Sequence, residues 1–109
     1  MRIECKEPGF EHNWVEVSDR WTRRETASLF SVAGEEYFAL LRSKITACHI
    51  APEVGEPLTD PQQITPDNLM DCDEVVFGFL GGSLQMAIAE RRSLGNFSAR
   101  PSSSTNGAK

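Results

Sequence analysis

The stretch that decides the fold is residues 65–95, TPDNLMDCDEVVFGFLGGSLQMAIAERRSLG. Thr65 and Pro66 favour a helix start, because threonine can cap the first turn and proline tolerates the first helical position. Residues on one stripe then recur with helical spacing, namely Leu69, Cys72, Val76, Leu80, Ser83, Ala87 and Leu94. Two arginines in the last turn suit the negative end of the helix dipole, and Gly95 is placed as a terminator. The stretch predicts a helix over residues 66–94.

This predicted helix is apolar around much of its circumference. Four large residues lie partly off the main stripe, namely Phe77, Phe79, Leu84 and Ile88. Such a helix either occupies the centre of the fold or presents a second face to a partner. As one rod it is about 43 Å long, which overhangs a domain with a radius of gyration of roughly 13 Å. Gly78, Gly81 and Gly82 predict a kink, a close helix contact or a break at Gly81 and Gly82.

The beginning of the chain predicts a small β-hairpin. Ile3 and Cys5 alternate with charged neighbours, and the run Trp14–Val17 is rich in residues that favour strands. Between them, Pro8 and Gly9 interrupt regular structure and favour a turn. We therefore expect two short strands that pair with each other.

A helix is predicted to follow the hairpin, over residues 22–48. Thr22 and Glu25 have the spacing of a capping box, in which each side chain binds a free amide of the first turn. Apolar residues follow at nearly helical spacing, namely Leu29, Ala33, Tyr37, Leu40, Leu41, Ile45 and Cys48. Gly34 could divide this segment into two shorter helices.

The segment between the two helical regions is acidic. Residues 51–74 contain seven acidic side chains and neither lysine nor arginine. Pro52, Pro57 and Pro61 break regular structure. We interpret residues 52–64 as an ordered or semi-ordered acidic loop.

The predicted architecture is one α+β domain over residues 1–97, with a small N-terminal β-hairpin followed by two or three α-helices. Residues 98–109 are rich in serine and hold no apolar residue larger than alanine. They cannot bury enough apolar surface to offset the entropy of ordering, so we predict a disordered tail.

Length and composition narrow the function classes. The chain has 109 residues, a net charge of −5 and a pI near 5.0, so it lacks the positive charge with which most nucleic-acid binders displace counterions. Three cysteines without paired spacing favour reduced thiols in a cytosol. The N-terminus lacks the apolar run of a signal peptide, and the apolar run 75–89 is shorter than a bilayer span. We expect a cytoplasmic protein that binds neither nucleic acid nor membrane.

Candidate ligands for a metal are dispersed along the chain, namely Cys5, His12, Cys48, His49 and Cys72. Neighbouring helical residues point about 100° apart, so the side chains of Cys48 and His49 are poorly oriented to bind one tetrahedral metal ion together. We expect no metal and no cofactor. Cys72 is also a poor nucleophile, because Asp71 and Asp73 disfavour the thiolate.

The other motifs with catalytic potential are also weak. Carboxylate pairs such as Glu35 and Glu36, or Asp71 and Asp73, are expected by chance among 16 acidic residues. The glycine-rich run 77–82 lacks the Lys-Ser/Thr ending of a phosphate loop and lies inside a helical pattern. Without a base, a nucleophile and an orienting group together, we predict that the chain is not an enzyme.

One basic and aromatic cluster stands out, formed by Arg20, Arg23 and Arg24 with Trp14 and Trp21. Such a cluster could bind single-stranded nucleic acid by stacking. In a chain of negative net charge, pairing of these arginines with the acidic loop is the favoured interpretation.

Three features together resemble the tail assembly chaperones of long-tailed, siphovirus-like bacteriophages. They are the run WVEVSDRWTRRE at residues 14–25, the helix opening ITPDNL at residues 64–69, and the ending LGN at residues 94–96 before a serine-rich tail. The resemblance covers residues 10–104 and lies in the order and general character of these segments. This family carries no catalytic signature.

The resemblance implies a non-enzymatic function in virion morphogenesis. Such chaperones bind the long tape measure protein and keep it soluble in the host cytoplasm before the tail tube polymerises around it, and they are absent from the mature virion. They are commonly made in a short form and in a longer form produced by ribosomal frameshifting. Codons for residues 94–96 can contain a slippery sequence for a −1 shift. The tape measure protein is therefore the implied partner, with the tail tube protein and a second copy of the chain as further candidates.

The apolar residues of the last predicted helix are the candidate contacts to a client or to a second copy, namely Phe77, Phe79, Leu80, Leu84 and Ile88. If they form such a surface, Phe79→Asp with Leu84→Asp leaves the protein folded and abolishes capture of the client. Two other function classes stay open: a structural adaptor or completion protein retained in the particle, and a small acidic regulatory protein.

Overall fold

A three-stranded antiparallel sheet, with a long helix packed against it, forms the centre of the fold. The computed structural model describes residues 1–98, with side chains through Arg92. The strands lie in chain order across the sheet and are β1 (Arg2–Glu4), β2 (Trp14–Val17) and β3 (Ile45–His49). The predicted α+β class and the N-terminal hairpin of β1 and β2 are confirmed.

The helices within residues 1–98 are α1 (Arg23–Leu29), α2 (Glu35–Lys44), α3 (Pro66–Leu69) and α4 (Glu74–Ser98). Of these, α2 and α4 pack against the sheet. The predicted capping box at α1 is present. Glu25 N–H donates to Thr22 Oγ1 at 3.1 Å, and Thr22 N–H donates to Glu25 Oε1 at 2.8 Å. Gly34 separates α1 from α2 with a φ of 62°, a conformation that glycine adopts without steric cost.

The end of the helix predicted over residues 22–48 is wrong, because residues 45–49 form β3. A β-bulge explains the error. Val17 pairs with Ile45 and Glu16 pairs with Ala47, so Thr46 is an extra residue on β3. The bulge turns both Ile45 and Cys48 towards the core although they are three residues apart. That spacing is also the spacing of a helix, and the pairing with β2 decided between the two.

The helix predicted over residues 66–94 is also divided, although not at Gly81 and Gly82. The break lies at residues 70–73, between α3 and α4. Asp73 starts the new helix, since its Oδ1 accepts a hydrogen bond from Val75 N–H at 2.9 Å. At the other end, Gly95 does not terminate the helix, because α4 continues to Ser98.

Gly81 has a packing role inside α4. A Cβ atom built there would lie 2.6 Å from the Tyr37 hydroxyl oxygen on α2. The alternative of a close helix contact is therefore confirmed at this position, where α2 and α4 pack together.

The acidic loop is anchored by two buried apolar residues. Ile50 and Leu58 form an isolated antiparallel bridge, and Leu58 and Ile64 point into the core. A 3₁₀ turn at Pro61–Gln63 begins with Asp60, whose carboxylate accepts the Gln62 N–H at 2.9 Å. The loop therefore has a defined path.

The predicted tail over residues 98–109 lies outside the described residues, apart from Ser98 at the end of α4. Among residues 1–98, none of the helices has the length and apolar character needed to cross a bilayer.

Lys44 at the end of α2 is a buried cation with three partners. Its Nζ lies 2.8 Å from the Glu25 carboxylate, donates to the Arg20 carbonyl oxygen at 2.7 Å, and lies 4.9 Å from the centre of the Trp21 ring. The hydrogen bond from Lys44, followed by that from the Thr22 backbone, lowers the pKa of Glu25 below its ordinary value of 4.5.

This pair makes stability depend on pH. Because the pKa of Glu25 is lower in the folded state, its contribution to stability is present above pH 4.5 and is lost as the pH falls through the folded pKa. We expect Lys44→Met to lower the unfolding free energy by about 1.5 kcal/mol at pH 7, because a hydrogen bond to a charged group is lost. The deficit should shrink below pH 4.5, as measured by urea denaturation from pH 3 to pH 7.

The matched control is Glu25→Gln, which keeps an acceptor for the capping box and removes the charge. In this background the effect of Lys44→Met should become independent of pH between 3 and 7. In the chain that keeps Glu25, a loss of stability on Lys44→Met that is the same at every pH would contradict the ion-pair explanation.

Candidate functional site

Three of the five candidate contact residues lie on the core face of α4. Leu80 and Leu84 are completely buried and Ile88 is nearly so, and all three belong to the hydrophobic core. They are therefore not available to a partner in this structure, which corrects their assignment as candidate contacts. The reason is tertiary: α4 packs against β2 and α2, so its buried face is wider than the main stripe and includes Leu84 and Ile88.

The other two candidate residues, Phe77 and Phe79, keep part of their surface exposed. Phe77 is 38% exposed, and its ring centre lies 6.3 Å from that of Tyr37 and 6.1 Å from that of Phe38. Phe79 is half-buried on a different side of α4 and packs against the core. The structure therefore separates the five residues into a core set and two partly exposed aromatic residues.

Phe79 lies in a groove between β1 and α4, which we call the β1–α4 groove. Its volume is about 410 Å³. The β1 side is formed by residues 3–7, and the α4 side is formed by Val75, Gly78, Phe79, Gly82, Ser83 and Met86. Met86 is 52% exposed. The groove is thus an apolar surface that the described part of the chain leaves open.

The strand side of the groove is the outer edge of β1, with which no other strand of residues 1–98 pairs. Met1 and Val17 exchange backbone hydrogen bonds, and Cys5 N–H donates to the Asn13 carbonyl oxygen at 3.0 Å. Because antiparallel pairing alternates, the backbone groups of Arg2 and Glu4 point away from β2. Charged side chains at these two positions are typical of edges that avoid aggregation.

The helix side of the groove has two glycines, which no other side chain of residues 1–92 packs against. A Cβ atom at Gly78 or Gly82 would meet no other atom within 4 Å. Their absent side chains leave the helix backbone accessible to another chain. A kink, a close helix contact or a break was predicted at these glycines, whereas the spacing of four between Gly78, Gly82 and Met86 was the signal for a common face.

Cys48 and Cys72 do not have the properties of nucleophiles. Burial, with a contribution from Asp60, raises the pKa of Cys48 to about 11. Burial raises the pKa of Cys72 as well, helped by Asp71 and Glu53. Both thiols are therefore protonated near neutral pH.

One histidine and two of the carboxylates named as candidates have structural partners. His49 Nδ1 lies 3.1 Å from the His12 carbonyl oxygen, and Glu35 pairs with Arg42. Asp73 caps α4 as described. Within residues 1–92, no three His, Cys, Asp or Glu side chains are grouped in a way that could hold a metal ion.

The basic and aromatic cluster predicted from the sequence is divided in the structure. Trp14 lies beneath Arg2, whose guanidinium carbon is 4.0 Å from the ring centre, while Trp21 contacts Lys44. The predicted pairing of the cluster's arginines with the acidic loop is wrong, since no ion pair between described residues joins them.

The structure instead joins Trp21 and Arg23 to the far end of α4. A cleft of about 350 Å³, which we call the arginine cleft, lies between α1 and α4 and is lined by Trp21, Thr22, Arg23, Thr26, Ala27, Phe30, Ile88, Arg91 and Arg92. Arg91 donates to the Asp19 carbonyl oxygen. From the sequence, Arg91 and Arg92 are related only to the helix dipole, because nothing local to them indicates that α1 lies alongside.

No family model, curated protein or solved structure matches this chain.

Proposed function

We propose that the chain is a non-enzymatic phage tail assembly chaperone that binds and solubilises the tape measure protein during tail morphogenesis. Two things support the proposal: the resemblance of the sequence to such chaperones and the open β1–α4 groove. The groove carries the proposal, because a protein that shields apolar segments of a client needs an accessible apolar surface of its own.

The geometry of the groove suits a helical client segment. A tape measure protein is largely helical and exposes apolar stripes until the tail tube encloses it. Packed helix axes lie about 8–10 Å apart, and the shorter distances require small residues at the contact. Gly78 and Gly82 supply such positions, and Phe79 and Met86 supply apolar surface on either side of them. Methionine adapts its shape to different apolar partners.

Gly82→Gln separates client binding from folding. Glutamine is a better helix former than glycine, and its Cβ meets no atom of this chain, so stability should rise by about 0.5–1 kcal/mol. The longer side chain fills the groove, so capture of the tape measure protein should fall at least tenfold. The measurement is co-expression with that protein, followed by quantification of the soluble client that co-purifies.

Ala89→Gln is the matched control, because Ala89 is exposed on the same helix and does not line the groove. This variant should capture the client as well as the original chain. If Gly82→Gln is folded and captures the client normally, the groove is not the binding surface. If the original chain does not increase the soluble fraction of the client, the proposed function itself is wrong.

Mass spectrometry of purified particles distinguishes the chaperone from a structural adaptor. A chaperone that leaves before tail completion should be missing from the particles. Its presence in stoichiometric amounts would instead support the adaptor class.

A further inference from the structure

The arginine cleft is a positively charged site in an acidic protein. Arg23 on α1 faces Arg91 and Arg92 on α4, and no Asp or Glu is among the described residues that line the cleft. Apolar surface accompanies the charge, since Phe30 at its border is 68% exposed. This combination suits an occupant that carries carboxylates next to an exposed apolar side chain.

The chain itself presents such a surface at the start of α4. Met70 is 82% exposed and lies between Asp67 and Asp71, which are also exposed. Glu53 N–H donates to the Asp71 carbonyl oxygen at 2.8 Å, which brings the Glu53 segment alongside. We call Glu53, Asp67, Met70 and Asp71 the acidic face. No lysine or arginine occurs within residues 51–74, so this face is not neutralised by its own segment.

The two surfaces cannot meet within one chain. The acidic face adjoins the start of α4 at Glu74, and the arginine cleft includes Arg91, seventeen residues further along the same helix. At 1.5 Å per residue, α4 holds them about 26 Å apart. A contact between them therefore requires two molecules.

We propose that the arginine cleft of one molecule binds the acidic face of a second copy of this chain. Guanidinium groups of the cleft pair with the carboxylates of Asp71 and Glu53, and Met70 enters beside Phe30. Charge complementarity and matching apolar side chains identify the second copy as the occupant. Two molecules with antiparallel α4 helices would make the contact twice and close as a dimer, whereas a head-to-tail arrangement would add further copies. The proposal does not depend on the proposed chaperone function.

Salt dependence and charge reversal test this contact. Sedimentation of the full chain from 10 to 500 µM in 25 mM NaCl should show association that increases with concentration. Because screening lengths fall to a few ångströms at high salt, the association constant should drop at least tenfold in 500 mM NaCl. A chain that stays monomeric at 500 µM in 25 mM NaCl would overturn the proposal.

Two double variants locate the contact. Arg23→Glu with Arg92→Glu reverses the cleft, and Glu53→Lys with Asp71→Lys reverses the acidic face; these four side chains are at the surface. Each double variant alone should be monomeric at 200 µM. Their equimolar mixture should associate again, because opposite charges face each other in every contact. Association of either variant alone at the original strength, or a mixture that stays monomeric, contradicts the assignment.

Circular dichroism checks that each variant is folded. If a reversed variant unfolds, the neutral pair Arg23→Gln with Arg92→Gln tests the cleft instead, and it should weaken association at least fivefold. Unchanged association in this folded neutral variant would also overturn the proposal. If an acidic peptide binds the cleft while the chain stays monomeric, the cleft takes an occupant other than a second copy, and the proposal is overturned.

Discussion

Leu84→Asp is expected to unfold the protein. Leu84 is completely buried in the core between α4 and the sheet. Truncating a buried leucine to alanine typically costs about 2–5 kcal/mol, and a carboxylate at the same place adds the cost of removing a charge from water. The sum approaches the 5–15 kcal/mol that stabilises a typical domain. Circular dichroism during a urea titration should show no cooperative transition, and Leu84→Ala should retain one with a free energy lowered by about 3 kcal/mol.

Met86→Asp is the control, since it places the same charge two residues away in the same helix. Met86 is half exposed in the β1–α4 groove, so stability should change by less than about 1 kcal/mol. The prediction from sequence that Leu84 belongs to a client surface implies that Leu84→Asp leaves the protein folded. A folded Leu84→Asp protein would support that earlier expectation and contradict the packing described here.

Asn13→Ala is expected to lower the unfolding free energy by about 2–4 kcal/mol. Asn13 is completely buried, and its side chain connects two segments. Its Nδ2 donates to the Phe10 carbonyl oxygen at 3.0 Å, and its Oδ1 accepts the Ala51 N–H at 2.7 Å. Alanine leaves both backbone groups without these partners and opens a small cavity. Equilibrium urea denaturation measures the difference.

Asn68→Ala provides the comparison, because it makes the same chemical change at a less buried position. Asn68 Nδ2 donates to the Gln63 carbonyl oxygen at 2.7 Å. Water can replace this bond, so the cost should be about 1 kcal/mol or less. Equal costs at the two positions would show that burial of Asn13 does not govern its contribution.

The two errors in secondary structure have one physical origin. Local spacing predicted a helix at Ile45 and Cys48. Instead, this segment pairs with the second edge of β2, and the bulge at Thr46 lets both residues face the core in that pairing. Likewise, the stripe from Leu69 to Leu94 is continuous in sequence, yet Asp73 caps a new helix inside it. In both places a pairing or a cap, rather than the pattern of apolar residues, set the boundary.

The candidate surface was predictable only in part. The excess of apolar residues on the last helix left open whether the helix is central to the fold or has a second, exposed face, and in the structure Phe77 and Met86 are exposed. The predicted stripe is buried at Val76, Leu80, Ser83 and Ala87, so the pattern specified the rotation of α4. It did not specify how wide the buried face is, because that depends on contacts with the distant segments β2 and α2. The arginine cleft could not be predicted for the same reason, because the two groups of residues that form it lie about 70 positions apart in the chain.

By itself, the sequence determined the α+β class, the N-terminal hairpin, the capping box at Thr22 and the division at Gly34, because each depends on residues close together in the chain. The tertiary structure alone decided that residues 45–49 join the sheet, that Leu84 is core while Met86 faces the groove, and that Arg23 and Arg91 line the same cleft. These outcomes depend on contacts between distant segments, whose free energy exceeds the local preference of any single residue.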